Sequence, residues 1–409
     1  MKPKGAIPGI LGGGQLARML CEAAGALGLR VGILAGQKND PAAQICEGPL
    51  TFGRLNDPHI LREFFGQVGP IAIESEFVNC DVIAAAGGTD SVLPPLACIR
   101  VLQNKLQQKL LLESIGVPTS RLIRRPKDTE LRSWISSVLA ENVGHGVVLK
   151  WAEMGYDGKG TLIQGEAATQ DGKVAPAFTA KAFEFCKAAE QAGIEVYAEE
   201  KIPFVHEVAM VAVRNTAGDF DAYPLVYSEQ VQGICKWVKG PAVALGAKPE
   251  LEALARSYLK KIGDAVGVVG AYAVEFFVTA DDRLLVNEIA PRVHNTGHYT
   301  QNAAATSQFE NHWRALLGMP FGPTTCSPYF AMVNLLGPAG VTCADGEDKR
   351  PQVSSEQVAF HWYHKAELRP GRKLGHLNTR ATSVSQLNEQ ITLLDAIDRT
   401  WCDRLIRNS

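Results

Sequence analysis

The run IPGILGGGQLARML near the start of the chain constrains the fold most. An apolar stretch, Ala6 to Leu11, ends in Gly12, Gly13 and Gly14, and apolar residues then recur at helical spacing at Leu16, Met19, Leu20, Ala23 and Leu27. Strand, glycine loop and helix follow in order. Further apolar runs at Arg30 to Leu34 and Ile71 to Ile73 flank a helix predicted from Asp57 to Gln67, where Asp57 can cap and Pro58 suits the first turn. Strands alternating with helices predict a doubly wound parallel sheet. Pro94 and Pro95 punctuate the chain after it, so a boundary is expected near 95–100.

Beyond that boundary the pattern changes. Leu102, Leu106 and Leu110 predict a helix from Ala97 to Ser114, with Lys105 and Lys109 on its solvent-facing flanks, stopped by Gly116 and Pro118. The strand Val147 to Lys150 leads into AEMGYDGKGT, whose glycine density predicts a mobile loop in a β-hairpin. Glu207 to Val213, Ala222 to Tyr227, Ala271 to Val278 and Leu284 to Ile289 read as antiparallel strands, the last two joined by an acidic turn at Asp281 and Asp282. From about Gly322, Pro–Gly turns and a basic cluster (His364, Lys365, Arg369, Arg372, Lys373, His376) mark another region.

Composition excludes several classes. With 409 residues, 46% hydrophobic, and a net charge of −2, a globally basic nucleic-acid binder or polybasic membrane-surface protein is not expected. The nine cysteines are scattered, without a C-x-x-C pair, which disfavours a disulfide scaffold or a Cys-based zinc site. The first residues lack a signal-peptide pattern and no long uncharged apolar run follows, so a cytoplasmic protein is expected.

Three constellations could carry chemistry. GGGQ places backbone N–H groups at a helix N-terminus, which suits an anion, although a tight turn needs the same glycines. Ala17 stands where a dinucleotide fingerprint has its third glycine and Gln37 where it has an acid, which argues against NAD. Glu275 in AYAVEFFV and Glu288 in LLVNEIA are carboxylates in apolar strands; with Asn287 they form either an oxygen-only site suited to Mg²⁺ or a pair of solvated side chains. APRVHNTGH gathers Arg292, His294, Asn295 and His298 as an ordinary loop or a small-anion cradle, and no further ligand motif supports zinc on the two histidines.

Taken in order, ILGGGQLARM, ESEFVN, LKWAEMGYDGKG, AVEFF, LLVNEIAPRVHNTGH, SQFENHWRALLGMP, VNLLG and HWYHKAELRPGRKLGH resemble the ATP-grasp family, and within it the N5-carboxyaminoimidazole ribonucleotide synthetases, from about residue 9 to residue 378. The resemblance implies an α/β and α+β, three-domain ATP-grasp fold. It would have a Rossmann-like pre-ATP-grasp domain over 1–97, a two-lobed ATP-grasp domain over 98–322 and a small C-terminal domain over 323–409. It implies an ATP-dependent carbon–nitrogen ligase of purine biosynthesis, in which ATP activates bicarbonate as carboxyphosphate and the amine of 5-aminoimidazole ribonucleotide (AIR) is carboxylated.

Carried over by position, the ATP site would use Lys105, Lys150, the flap Gly155, Tyr156, Asp157, Gly158, Lys159, Gly160 and Thr161, the hinge Glu199, Glu200, Lys201 and Ile202, and Glu207, Gln230, Asn287 and Glu288. Mg²⁺, or Mn²⁺ in its place, would be held by Glu275 and Glu288. Arg292 and His294 match the positions that orient bicarbonate and carboxyphosphate, while Gln15, Glu76, Tyr156, Asp157, Lys365, Arg372 and Lys373 match AIR contacts. A homodimer is implied, with the product passed to a separate mutase because no segment is left for a fused one.

The chain also departs from the family pattern. Met154 and Lys159 replace a Gly and the Arg of the usual flap G-G-Y-D-G-R-G. Gln103, Asn104, Lys105 stand for Gln-Asp-Arg/Lys, Ser228 and Gln230 for an Asn followed by His, and Tyr363, His364, Lys365 for Tyr-Gly-Lys. Two other readings are an ATP-grasp ligase joining a different carboxylate and amine, and an inactive nucleotide-binding relative.

Overall fold

Alternating residues of the first strands face two separate cores, which is why those strands read as continuous apolar runs. In the strand Gly9–Leu11, Ile10 packs with Leu20, Ile33, Val293 and Trp313, and Leu11 packs with Leu34, Phe64, Ile73 and Ile83 on the other face. The computed structural model describes residues 7–142, 145–155, 160–164, 176–344 and 349–407. The chain forms two compact units, Met1–Arg100 with Val208–Val274 and Ala290–Ser409, and Val101–Glu207 with Glu275–Ile289.

In the first unit the expected parallel sheet is present, ordered Leu50–Phe52, Gly32–Ala35, Gly9–Leu11, Ile71–Ile73, Val92–Leu93. Its registers align Ile10 with Ile33 and Ala72. The second strand starts at Gly32 rather than Arg30, and the strand Leu50–Phe52 was not anticipated because its three residues carry no readable period. The helix Pro58–Gln67 is capped as expected, Asp57 accepting from the N–H groups of His59 and Ile60.

Antiparallel strands make up the rest of this unit's sheet structure. Val208 on Phe204–Arg214 pairs with Tyr227 on Val226–Val231, Tyr227 with Lys239 on Ile234–Gly240, Lys239 with Ala331 on Tyr329–Leu336, Ala331 with Thr379 on Lys373–Ala381, and His376 with His361 on Ala359–Trp362. The run Ala222 to Tyr227, expected as one strand, is two: Phe220–Ala222 and Val226–Val231. Pro224 falls in the gap, where it has no N–H to give a ladder. Helix Gln308–Leu316 locks onto helix Gln15–Ala26 when Trp313 Nε1 donates to the Leu20 carbonyl (2.8 Å).

In the second unit the strands are ordered Leu122–Ile123, Val196–Glu200, Val147–Trp151, Thr161–Gln164, with Leu131, Trp134, Ile135, Val147, Leu149 and Ala198 in the core behind them. Lys150 pairs with Thr161, closing the hairpin expected around the glycine-rich loop. The helix expected over Ala97 to Ser114 is broken into Leu96–Leu102 and Lys105–Ser114. Asn104 caps the second piece, its Oδ1 accepting from Gln107 N–H (3.0 Å), so a side chain that competes with the helix backbone restarts it.

Candidate functional site

In the second unit the restarted helix aims its first two lysines inward. Lys105 Nζ donates to Glu288 Oε2 (2.9 Å), and Lys109 is 2% exposed, so the expectation that both face solvent is wrong. Gln108, between them on the helix, binds the backbone of Ile289 in both directions (2.9 Å each) and the Leu102 carbonyl (2.7 Å), fixing the helix against the strand Leu284–Ala290 that carries Asn287 and Glu288. Period alone could not find this, because the leucine stripe covers only one of the helix's two buried faces.

Lys150 reaches Asn287 Oδ1 (3.2 Å) and lies 3.3 Å from Glu199 Oε2, an oxygen also 3.3 Å from Lys109 and accepting from Ser120 (2.6 Å). Burial would push the Glu199 carboxyl up, but Lys150 and Lys109 hold it down at about 2. Burial pulls Lys105 down, and the carboxylates Glu288, Glu275 and Glu199 outweigh it and raise its pKa. Glu275, on the strand Gly270–Thr279, and Glu288 lie on neighbouring strands joined by the acidic turn, where Asp282 takes φ 60°. Asn287, Glu275 and Glu288 offer oxygen donors only, the kind of set that fits a hard divalent cation. Among the described residues no three His, Cys, Asp or Glu side chains gather as a metal site.

The remaining nominated ATP residues are placed unevenly. Glu200 accepts from the Arg121 N–H (2.9 Å), the Lys201 N–H reaches the Gly146 carbonyl (3.4 Å), and the Ile202 carbonyl accepts from Phe204 N–H (3.0 Å). Burial raises Glu207 to about 7. Gly155, Gly160 and Thr161 frame the flap, while Tyr156, Asp157, Gly158 and Lys159 lie outside the described residues. Gln230 belongs to the other unit, where its amide donates to Ser228 Oγ (3.1 Å).

In the first unit, residues at the carboxyl ends of the parallel strands converge, where open α/β sheets bind ligands. The glycine loop there is already satisfied from within. Glu74, just after the strand Ile71–Ile73, accepts from the N–H groups of Gly14 (2.6 Å), Leu16 (3.2 Å) and Ala17 (3.5 Å). A Cβ on Gly12 or Gly14 would collide with that carboxylate. The helix N-terminus read as an anion site thus holds the protein's own anion, a partner 60 residues away that spacing could not reveal. Burial raises the Glu74 carboxyl, against the Gly14 and Ala17 donors and Lys365.

Glu76, two residues on, takes both arms of Arg292: Nε to Oε2 (2.5 Å) and Nη2 to Oε1 (3.0 Å). Such a planar fork fixes the guanidinium's orientation. Gln308 clamps the His294 backbone, accepting from its N–H (2.9 Å) and donating to its carbonyl (2.7 Å). Burial, then Arg292 and Lys373, push the His294 imidazole well below its ordinary value. Nδ1 is held by Thr296, 2.8 Å from its hydroxyl and 3.3 Å from its N–H. Lys365 donates to Gln15 Oε1 (2.6 Å), Lys373 opens the strand Lys373–Ala381, and Arg372 Nη1 donates to the Glu367 carbonyl (3.0 Å). Behind these, His298 and His376 are fully buried; His376 stacks on His361 (4.4 Å between centroids), and its Nδ1 hydrogen-bonds the Tyr363 hydroxyl (2.8 Å).

Family models match in order along the chain: a ribonucleotide synthetase preATP-grasp domain over residues 6–103, an ATP-grasp domain over 110–309 and a phosphoribosylaminoimidazole carboxylase C-terminal domain over 331–390. An N5-carboxyaminoimidazole ribonucleotide synthase of Synechococcus elongatus is 34% identical over 400 residues, 96% of this chain and 95% of that one. The chain belongs to the N5-carboxyaminoimidazole ribonucleotide synthase family. A crystal structure of the Thermus thermophilus N5-carboxyaminoimidazole ribonucleotide synthetase matches with a TM-score of 0.79 at 32% identity, covering 95% of this chain and 98% of that one. An Aspergillus clavatus N5-carboxyaminoimidazole synthase, solved with ADP and 5-aminoimidazole ribonucleotide, matches with a TM-score of 0.83 at 27% identity, covering 97% and 99%. The mixed parallel and antiparallel ATP-grasp fold is that of this synthase family. Among the described residues no helix is long and apolar enough to cross a membrane.

Proposed function

We propose that this chain is the ATP-dependent ligase that carboxylates AIR with bicarbonate to N5-carboxyaminoimidazole ribonucleotide, ADP and phosphate, in purine biosynthesis. Similarity to named synthases along nearly the whole chain carries this reading. A bicarbonate oxygen attacks the γ-phosphorus and ADP leaves; the AIR amine then attacks the carboxyl carbon, the bond to phosphate breaks and the nitrogen gives up a proton.

Lys105 and Lys150 would answer nucleotide phosphates, and the hinge Glu199–Ile202 with Glu207, Gln230, Asn287 and the flap Gly155–Thr161 would complete the ATP site. Glu275 and Glu288 would hold Mg²⁺, or Mn²⁺, which when bound neutralises phosphate charge. In the first unit Arg292, oriented by Glu76, and the neutral imidazole of His294 would orient the oxygens of bicarbonate and carboxyphosphate. Gln15, Glu76, Lys365, Arg372 and Lys373, with flap residues Tyr156 and Asp157, would hold AIR. The domain division 1–97, 98–322 and 323–409, a homodimer, a cytoplasmic location and transfer of product to a separate mutase complete the proposal.

Incubation with ¹³C-bicarbonate, ATP and AIR tests it. A labelled carbamate of AIR, formed only when ATP is present, is expected; label on another amine, or none, overturns the assignment.

A further inference from the structure

The arrangement around Glu199 contains one more ammonium than the ATP site calls for. Lys109 donates to Thr119 Oγ1 (2.5 Å) and Ser120 Oγ (2.7 Å) and shares Glu199 Oε2 with Lys150, each nitrogen 3.3 Å from that oxygen. A buried ammonium this deep is costly unless it is paired, and Glu199 is the acid it pairs with. Were Lys150 alone with Glu199, the pair would be neutral and its pull on a phosphate largely cancelled. Two ammoniums on one carboxylate leave a net positive charge.

We propose that Lys109 is a positioning residue: by sharing Glu199 it leaves Lys150 with positive charge free to act on a nucleotide phosphate. The inference rests on the reading of Lys150 as a phosphate-binding cation. The charged groups that act on Lys109 are Glu199 on Val196–Glu200, Lys150 on the strand Val147–Trp151 and Glu288 on Leu284–Ala290; Tyr197, on Val196–Glu200, and Lys105, on the same helix as Lys109, act on or are acted on by Glu199. Burial brings Lys109 down to about 8, Glu199 opposing and Lys150 adding to the fall. Glu199, at about 2, is ionised at any working pH, and Tyr197, raised well above its ordinary value, is neutral. The charge on Lys109 is therefore present below pH 8 and lost above it, and nucleotide affinity should fall with it.

The test is calorimetric ADP binding in the presence of Mg²⁺ at pH 7, 8 and 9, for the wild type and Lys109→Met. The wild-type Kd should rise about fivefold from pH 7 to 9, following one group near 8. Lys109→Met should bind about tenfold more weakly at pH 7, with that rise abolished. A purely structural lysine would not confer a pH profile, and the wild-type profile stands by itself should the variant not fold. A flat wild-type profile, or a variant that retains the wild-type rise, overturns the proposal. Absence of ADP binding by the wild type at every pH overturns the ATP-site reading, and the inference with it.

Discussion

Met154 and His364 stand where the family pattern has glycine, and both adopt left-handed backbone, φ 61° and 55°. A side chain there costs about 1–2 kcal/mol, while glycine's greater freedom in the unfolded chain costs about 0.5–1 kcal/mol. Met154→Gly and His364→Gly should each be neutral to stabilising by about 1 kcal/mol in urea denaturation. A loss beyond about 1 kcal/mol would show that these side chains hold the loops. Arg372 belongs to the same scale. Its guanidinium is held by the Glu367 carbonyl (3.0 Å) and lies 3.6 Å from the Glu367 carboxylate, while about a third of the side chain stays exposed. A charge-assisted contact to the AIR phosphate is worth about 1.5–3 kcal/mol, so Arg372→Ala should raise the KM for AIR on the order of tenfold to a hundredfold and leave ATP binding unchanged. Loss of ATP binding with an unchanged KM for AIR would contradict the placement.

At the scale of elements, Gln108 is the strap between the helix Lys105–Ser114 and the carboxylate strand. Gln108→Leu keeps the side chain's bulk but strands a buried N–H and two carbonyls, so unfolding of the second unit should be easier by about 2–4 kcal/mol, read by denaturant titration of tryptophan fluorescence. Unchanged stability would mean that other groups satisfy the Ile289 backbone. Elements whose signal is local were legible in the sequence: the helix capped by Asp57, the hairpin at Asp281–Asp282, the apolar strands around Glu275 and Glu288. What stayed hidden depends on partners far along the chain. Glu74 fills the N-terminus beside the glycine loop, Glu76 takes Arg292 from 216 residues away, and Glu199 draws Lys109 inward, none of which leaves a period or a spacing to read.

Across the whole molecule the buried histidines dominate the response to acid. Burial, with neighbouring charges in the first three, holds His294, His298 and His376 well below the ordinary value, and burial alone brings His361 to about 4 and His312 to about 3. In the unfolded chain each imidazole takes up a proton near pH 6.5, so each contributes stability that is present above that pH and lost as pH falls toward its folded value. The slope is about 1.4 kcal/mol per pH unit for each group. All five lie in the first unit, which should therefore lose stability steeply between pH 6.5 and 4, while Glu199 in the second keeps its ionised partnership down to about 2. Urea unfolding midpoints that stay constant from pH 7 to 5 would contradict this. The central claim is met most directly by phosphate release from ATP, followed with bicarbonate and AIR each supplied or withheld. Release that requires bicarbonate and is accelerated by AIR is the predicted result; release indifferent to AIR, or none with all three substrates present, would contradict it.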